Sequence, residues 1–214
     1  MLSPQKPIRR AYEQNPAKIA QWHEHDYPLL VERAAFEKAR IYWTDEVGLR
    51  SDHSIGRSYA PVGCTPVVRG AGKRFSTNAI SFIDNRGAMC YGVFGGTMAG
   101  PVFIRFLDRF IRYAAPEKAL LVLDSHTAHT AKLTKAWVRS RAARLEIIFL
   151  PGYYPEGNPV EMLNNDIKTS ALSRRPRSED EMNCLLRAWL RSRQRQPSIV
   201  RNYFELEQVR YARA

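Results

Sequence analysis

The 214-residue sequence has only three cysteines, Cys64, Cys90 and Cys184, and no two of them form a CxxC pair. An odd, widely spaced set supports neither a disulfide framework nor a cysteine zinc signature, so a reducing setting is expected. No apolar run approaches the roughly 18 residues that a membrane span needs. The N-terminus lacks the apolar stretch of a signal peptide, and cytoplasmic localisation follows by elimination. Internal repeats and low-complexity tracts are missing too. The length suits one sizeable domain with a real core and excludes two large ones. Acidic residues are the scarcer charge, 21 against 33 basic, giving a net +12 and a pI near 9.9. That balance points to a polyanionic partner, most simply nucleic acid; a basic protein that merely stays soluble is the plainer alternative.

What is present reads as two parts, a helical lead-in over residues 1–39 and a larger domain over 40–214. In the lead-in, Asn15-Pro16 opens a helix with proline at its first position, and a second helix follows Pro28 through Leu29, Leu30, Val31, Ala34, Ala35 and Phe36. The character changes at Arg40. Ile41-Tyr42-Trp43-Thr44 is a β-rich run expected to stop at Asp45-Glu46. Residues 75–83 and 89–94 read as two further strands joined by the turn Asp84-Asn85-Arg86-Gly87.

The period then switches to that of a helix. Gly100-Pro101 starts one whose apolar face is Phe103, Phe106, Leu107 and Phe110. Ala119-Leu120-Leu121-Val122-Leu123 is continuously apolar, as a strand covered on both faces should be, and it ends on Asp124. A helix over about 130–143, carrying Leu133, Trp137 and Val138, leads to another buried strand at 145–150. Pro151-Gly152 breaks the chain before a helix that starts near Asn158-Pro159. A last helix opens with Ser178 and Glu181 as a capping box and carries Met182, Leu185, Leu186, Trp189 and Leu190 as an apolar stripe. Three antiparallel strands followed by two that alternate with helices predict an α/β fold. It is a mixed five-stranded sheet with helices on both faces, which is ribonuclease-H-like.

In such sheets functional groups gather at the carboxyl ends of strands. Asp45 ends the first strand and Asp124 the fourth, and in this topology those strands are parallel neighbours. Glu161 falls in the first turn of the helix after the fifth strand. Three carboxylates together repel one another unless cations sit between them, and hard oxygen ligands suit Mg²⁺ or Mn²⁺. Each acid also has a plainer reading. Asp45 could cap a turn, and Glu161 could complete a capping box with Asn158. Glu156 and Asp166 are rivals for the third place, Glu156 on the loop and Asp166 about 140° round the helix from Glu161. Glu46, if the strand continues, points to the opposite face from Asp45. Asp124-x-His126-x-x-His129 hints at zinc, yet no cysteine or third histidine is near in sequence.

The local contexts are more specific than the acids alone. The segments are Trp43-Thr44-Asp45-Glu46-Val47-Gly48-Leu49-Arg50, then Val122-Leu123-Asp124-Ser125-His126-Thr127-Ala128-His129, and finally Leu150-Pro151-Gly152-Tyr153-Tyr154-Pro155-Glu156-Gly157-Asn158-Pro159-Val160-Glu161. They closely resemble the DDE-superfamily transposases, in the mariner-like branch of bacterial insertion sequences. The 37 positions between Asp124 and Glu161 are near that branch's spacing, and Gly72-Lys73-Arg74-Phe75 joins the match.

The resemblance implies a retroviral-integrase-like catalytic domain in which Asp45, Asp124 and Glu161 hold two ions, Mg²⁺ or Mn²⁺. It implies a metal-activated water that cuts double-stranded DNA at element ends, then attack of the freed 3′-hydroxyl on target DNA. It also implies a homodimer, a nucleoid-associated bacterial setting, and a separate helix-turn-helix recognition module, since the residues before Asp45 read as the linker rather than a reader of base edges. His129 matches a family histidine, with an acid-orienting or DNA-contacting role. At Gly157 the sequence departs from the bulky apolar residue usual there, which predicts a looser approach to Glu161. Arg50, Arg57, Arg69, Lys73 and Arg74 are candidates for phosphate contacts, as is Lys168. Tyr153 and Tyr154 could meet a sugar or base, or one ring could be core. The basic link Arg174, Arg175 and Arg177 reads as a solvated run. The alternatives are an inactive or truncated transposon-derived DNA-binding protein, and a nuclease of this fold that only hydrolyses.

Overall fold

Side-chain alternation along one strand divides the molecule. Strand β1, Arg40–Arg50, sends Trp43, Val47 and Leu49 into one apolar cluster and Tyr42 into the other. The computed structural model describes residues 11–52, 59–65, 67, 72–171 and 175–213; Arg57, Arg69 and Arg174 lie outside them. Strands β2 (Ser76–Ile83), β3 (Met89–Phe94), β4 (Ala119–Leu123) and β5 (Leu145–Phe149) complete a sheet ordered β3-β2-β1-β4-β5. β1 is antiparallel to β2 and parallel to β4, and β5 is parallel to β4. The expected mixed sheet is what forms.

One face is covered by α3 (Gly100–Ala114), whose Phe103, Phe106, Leu107 and Phe110 are buried as their spacing predicts. Beside it lie α4 (Thr127–Thr130) and α5 (Lys132–Arg139). The other face carries α6 (Val160–Asp166) and α7 (Glu179–Gln194), with Met182, Leu186 and Leu190 of α7 buried. Ser178 Oγ accepts from Glu181 N at 3.2 Å, and the Glu181 carboxylate accepts from Arg177 N at 2.7 Å. The capping pair therefore forms, reaching one residue further back than drawn from sequence. The lead-in joins this second face. Helix α1 (Pro16–Gln21) runs through a π-turn over Trp22–Asp26 into α2 (Tyr27–Phe36), and Trp22, Tyr27, Leu30 and Ala34 are buried in the same cluster as Trp43.

Three details differ from expectation. β1 does not stop at Asp45 but continues to Arg50, because β2 pairs with it from Trp43↔Ile83 to Arg50↔Ser76 after the ladder to β4 ends at Trp43↔Val122. The helix expected over 130–143 is broken at Ala131, whose ψ is 142°. The Thr134 hydroxyl donates to Ala128 O at 2.7 Å, turning Thr134 inward and leaving Leu133 56 % exposed. After α7, helix α8 (Pro197–Asn202), the link after it and a 3₁₀ turn at Glu207–Arg213 add Val200, Phe204 and Val209 to the buried residues. Both pieces are too short to show a hydrophobic period.

Gly92 on β3 lets α3 approach the sheet, since a Cβ there would lie 2.1 Å from the Phe106 ring. Gly92→Ala is expected to cost about 1–3 kcal/mol through overpacking. Gly72→Ala, with nothing within 4 Å of its Cβ site, should be close to neutral. Urea unfolding of both variants beside the parent checks this.

Candidate active site

The parallel ladder brings Asp45 and Asp124 together. Each lies two residues beyond the last pair, Trp43↔Val122, so the register sets one opposite the other. Leu120 and Val122 share a cluster with Trp43 and Val47, so alternation puts both carboxylates on the α6 side of the sheet. They line a cleft of about 420 Å³ together with Glu161, His126, Tyr153 and Asn158.

Glu161 reaches this edge because Asn158 fixes the start of α6. Asn158 Nδ2 donates to Thr44 O at 3.0 Å, next to Asp45 in the chain, and its Oδ1 accepts from Val160 N at 3.0 Å. The backbone N–H of Asn158 donates to Pro155 O, so it has no need of the Glu161 carboxylate, and the capping-box reading of Glu161 does not hold. Both rivals are engaged elsewhere. Glu156 accepts from Gln14 Nε2 at 2.6 Å. Asp166 accepts from Tyr203, Ser170 and Arg193 at 2.6–3.0 Å.

The two aspartates are pushed in opposite directions. Burial, followed by the charges of Glu161, Glu46 and Asp124, raises the Asp45 carboxyl well above the usual range. Burial also pushes Asp124 up. There the bond and charge of His129, with help from the His126 backbone N–H, outweigh burial and bring it below the usual value. His129 is 1 % exposed. Its Nδ1 donates to Asp124 Oδ1 at 2.9 Å and to Asp124 O at 3.1 Å, and its Nε2 donates to Glu46 Oε1 at 3.0 Å. Burial opposes its charge, yet the two carboxylates raise its pKa to about 9. With both nitrogens engaged behind the cleft wall, the acid-orienting role fits this histidine, and contact with DNA does not.

Glu46 is the residue that sequence reading undervalued. It does point away from Asp45, as alternation requires, and that direction is what takes it to His129. Ligand atoms of Glu46, His126 and His129 lie within 4.8 Å of one another, so the third partner absent from the local sequence is supplied across the sheet. The three could hold a cation only by breaking the His129–Glu46 bond. No local pattern announces this contact, because 83 residues separate the partners.

The loop before Glu161 is braced from both ends of the chain. His23 Nε2 lies 3.0 Å from Tyr154 Oη, Gln14 Nε2 donates to Tyr153 O at 3.1 Å, and the Tyr211 hydroxyl donates to Gly157 O at 2.7 Å. Tyr211 also meets His23, Tyr27 and Trp43 edge-on. Gly157 does not loosen this loop. A Cβ there would fall 2.1 Å from the Tyr154 ring, so the glycine is the space that ring occupies. Of the two tyrosines, Tyr154 is core at 9 % exposure, while Tyr153 stands 62 % exposed at the cleft with φ +58°.

The basic candidates divide. The Ser51–Phe75 backbone bond brings Arg50, Lys73 and Arg74 together at one end of the β1–β2 pair. Arg50 and Arg74 share Asp52, at 2.7 and 3.3 Å, which offsets part of their charge. Lys168 is exposed two turns beyond Glu161. Arg57 and Arg69 lie outside the described residues.

A mixed five-stranded sheet with carboxylates just beyond the point where its two central parallel strands cease to pair defines the ribonuclease-H-like class. Within it, the sequence profile of the DDE superfamily endonucleases matches residues 40–183, more than half of the chain, and the protein belongs to that family. Its fold is similar to the Mos1 mariner paired end complex with Mn, at a TM-score of 0.67 and 19 % identity over 96 % of this chain and 66 % of that one. It is likewise similar to the catalytic domain of Mos1 mariner transposase, at 0.59 and 15 % identity over 91 % and 93 % of the two chains. The chain thus spans just under two-thirds of the Mos1 chain in the paired end complex. Comparison with curated proteins gives no match. Among the described residues no helix is long and apolar enough to cross a membrane.

The raised His129 pKa has a consequence for stability. Its folded value exceeds its unfolded 6.5, so its contribution is complete below pH 6.5 and disappears as pH climbs through about 9. In metal-free protein, the stability difference between parent and His129→Gln should be on the order of 3 kcal/mol near pH 6. It should shrink steadily toward pH 10. Chemical denaturation at a series of pH values checks this, and a difference that does not vary with pH contradicts it.

Proposed function

We propose that this chain is the catalytic core of a metal-dependent DNA transposase, with Asp45, Asp124 and Glu161 as its metal ligands. The observation that carries the reading is the charge around Asp45. The side-chain charges that act on it are acidic, from Glu161, Glu46 and Asp124, and it is half-buried at the foot of the cleft. Such a group stays ionised only with a cation beside it. An all-oxygen donor set fits Mg²⁺ or Mn²⁺ and not a softer metal. Two such ions, when bound, supply the clamp on attacking and leaving oxygens in an in-line phosphoryl displacement.

The remaining roles fall to the protein. His129, held by Glu46 from behind, keeps Asp124 ionised and turned toward the cleft. Asn158 ties the start of α6 to β1, so that Glu161 and Asp45 move as one. Tyr153 stands at the mouth, in the left-handed backbone region that clusters at functional sites, where its ring can meet a sugar or an unstacked base. Arg50, Lys73, Arg74 and Lys168 offer phosphate contacts that position DNA without reading it. Double-stranded DNA at element ends and at the target is the partner this chemistry requires, which places the protein at the bacterial nucleoid.

The solved relatives include the Mos1 paired-end complex with left transposon end and the Mos1 Strand Transfer Complex. By analogy the present chain acts as a pair of copies on paired ends. Recognition of the ends by a separate module belongs to the same reading, as the family resemblance implies.

Mg²⁺ or Mn²⁺ should support nicking of end-bearing DNA. Asp124→Asn should reduce it by more than the roughly 10–100-fold that outer-sphere changes cost at a metal site, while the circular dichroism spectrum stays unchanged. Glu156→Gln should keep most of the activity. Undiminished cutting by Asp124→Asn sinks the assignment.

A further inference from the structure

Asn164 lies three positions beyond Glu161 on α6, so the helix presents both residues to one side. Its side chain is 1 % exposed. Nδ2 donates to Asp45 Oδ2 at 2.9 Å and lies 3.5 Å from the backbone oxygen of Glu46. The backbone oxygen of Glu46 only accepts, as does an ionised Asp45, so the nitrogen of the amide faces them, and the opposite placement would set oxygen against a carbonyl oxygen. The amide oxygen is left buried with no hydrogen-bond partner. Ser81, directly across from Asp45 on β2, is also 1 % exposed with its hydroxyl unpartnered. Buried orphan groups are rare in native cores. Here two belong to residues that neighbour the same carboxylate, one through a hydrogen bond and one through strand pairing.

The geometry points to Asn164 as a positioning residue: it pins one oxygen of Asp45 to α6, leaving the other for a divalent ion, and couples Asp45 to Glu161 through a single turn of helix. This rests on the reading of Asp45, Asp124 and Glu161 as metal ligands. The arrangement is economical in chain length, because the helix that carries the third ligand also orients the first. A leucine of similar size would fill the space and supply neither contact.

The test is Mn²⁺ binding, followed by electron paramagnetic resonance on the full chain without DNA. Asn164→Leu is expected to weaken the Asp45-dependent site by about 10–100-fold, the range for outer-sphere partners of metal ligands, with the fold kept by circular dichroism. If the leucine variant does not fold, Asn164→Ala is measured in the same way with the same expectation. Leu163→Ala is the control, since it loosens the same helix at a fully buried position without touching Asp45's hydrogen bond, and its Mn²⁺ affinity should match the parent. Unchanged affinity in Asn164→Leu overturns the proposal. So does an equal loss in Leu163→Ala, which would make the role merely structural. If the parent shows no Mn²⁺ site that Asp45→Asn removes, the assignment of the ligands fails as well, a separate and visible result.

Discussion

Holding like charges together at one sheet edge is the constraint that the rest of this structure serves. A carboxylate buried beside others is unfavourable in the metal-free protein, and folding energy from elsewhere must keep Asp45 where it is. Two apolar clusters, one on each face of the sheet, supply it. The parallel β1–β4 pairing fixes the separation of the two aspartates through backbone hydrogen bonds, which are indifferent to the charge they carry. The site is imposed by the sheet and does not assemble itself.

Around that edge, each acid is managed by a different neighbour. Asp124 faces a protonated histidine that Glu46 supports from the far side of the sheet. Asp45 has an amide from α6, and Glu161 is placed by the cap that ties α6 back to β1. The outcome is two adjacent carboxyls with opposite tendencies: burial and like charge drive Asp45 toward its neutral form, while His129 keeps Asp124 ionised. On the proposed reading, a cation entering the cleft would meet one carboxylate already ionised and one whose ionisation it must itself induce.

The sheet order, the buried strand β4 and the faces of α3 and α7 were legible because hydrophobic period and strand-ending acids are local signals, whereas β5, read as buried, is a half-exposed edge strand. Asp45 and Asp124 could be read from the strand pattern and Glu161 from the family-like loop before it, and the cleft brings the three together. What sequence could not show was pairing across distance. Strand β1 outlasts its β4 partner because β2 continues to hold it. Glu46 meets a histidine 83 positions away, and Gly157 makes room for a ring three residues back that His23 holds, while Tyr211 holds the Gly157 carbonyl. The broken helix at Ala131 was invisible because its cause is a threonine hydroxyl satisfying a carbonyl from the preceding turn.

The aromatic group of Trp22, Tyr27, Trp43, Tyr154 and Tyr211 has a bearing on where this domain can be divided. Trp43 and Tyr154 lie within the 40–183 segment that the family profile recognises. The rings that cover them come from before and after it. The family signature therefore marks the chemistry and not the folding unit. A piece trimmed to that signature would leave one side of the cleft loop facing water, with Tyr211 no longer holding Gly157 and Gln14 no longer holding Tyr153.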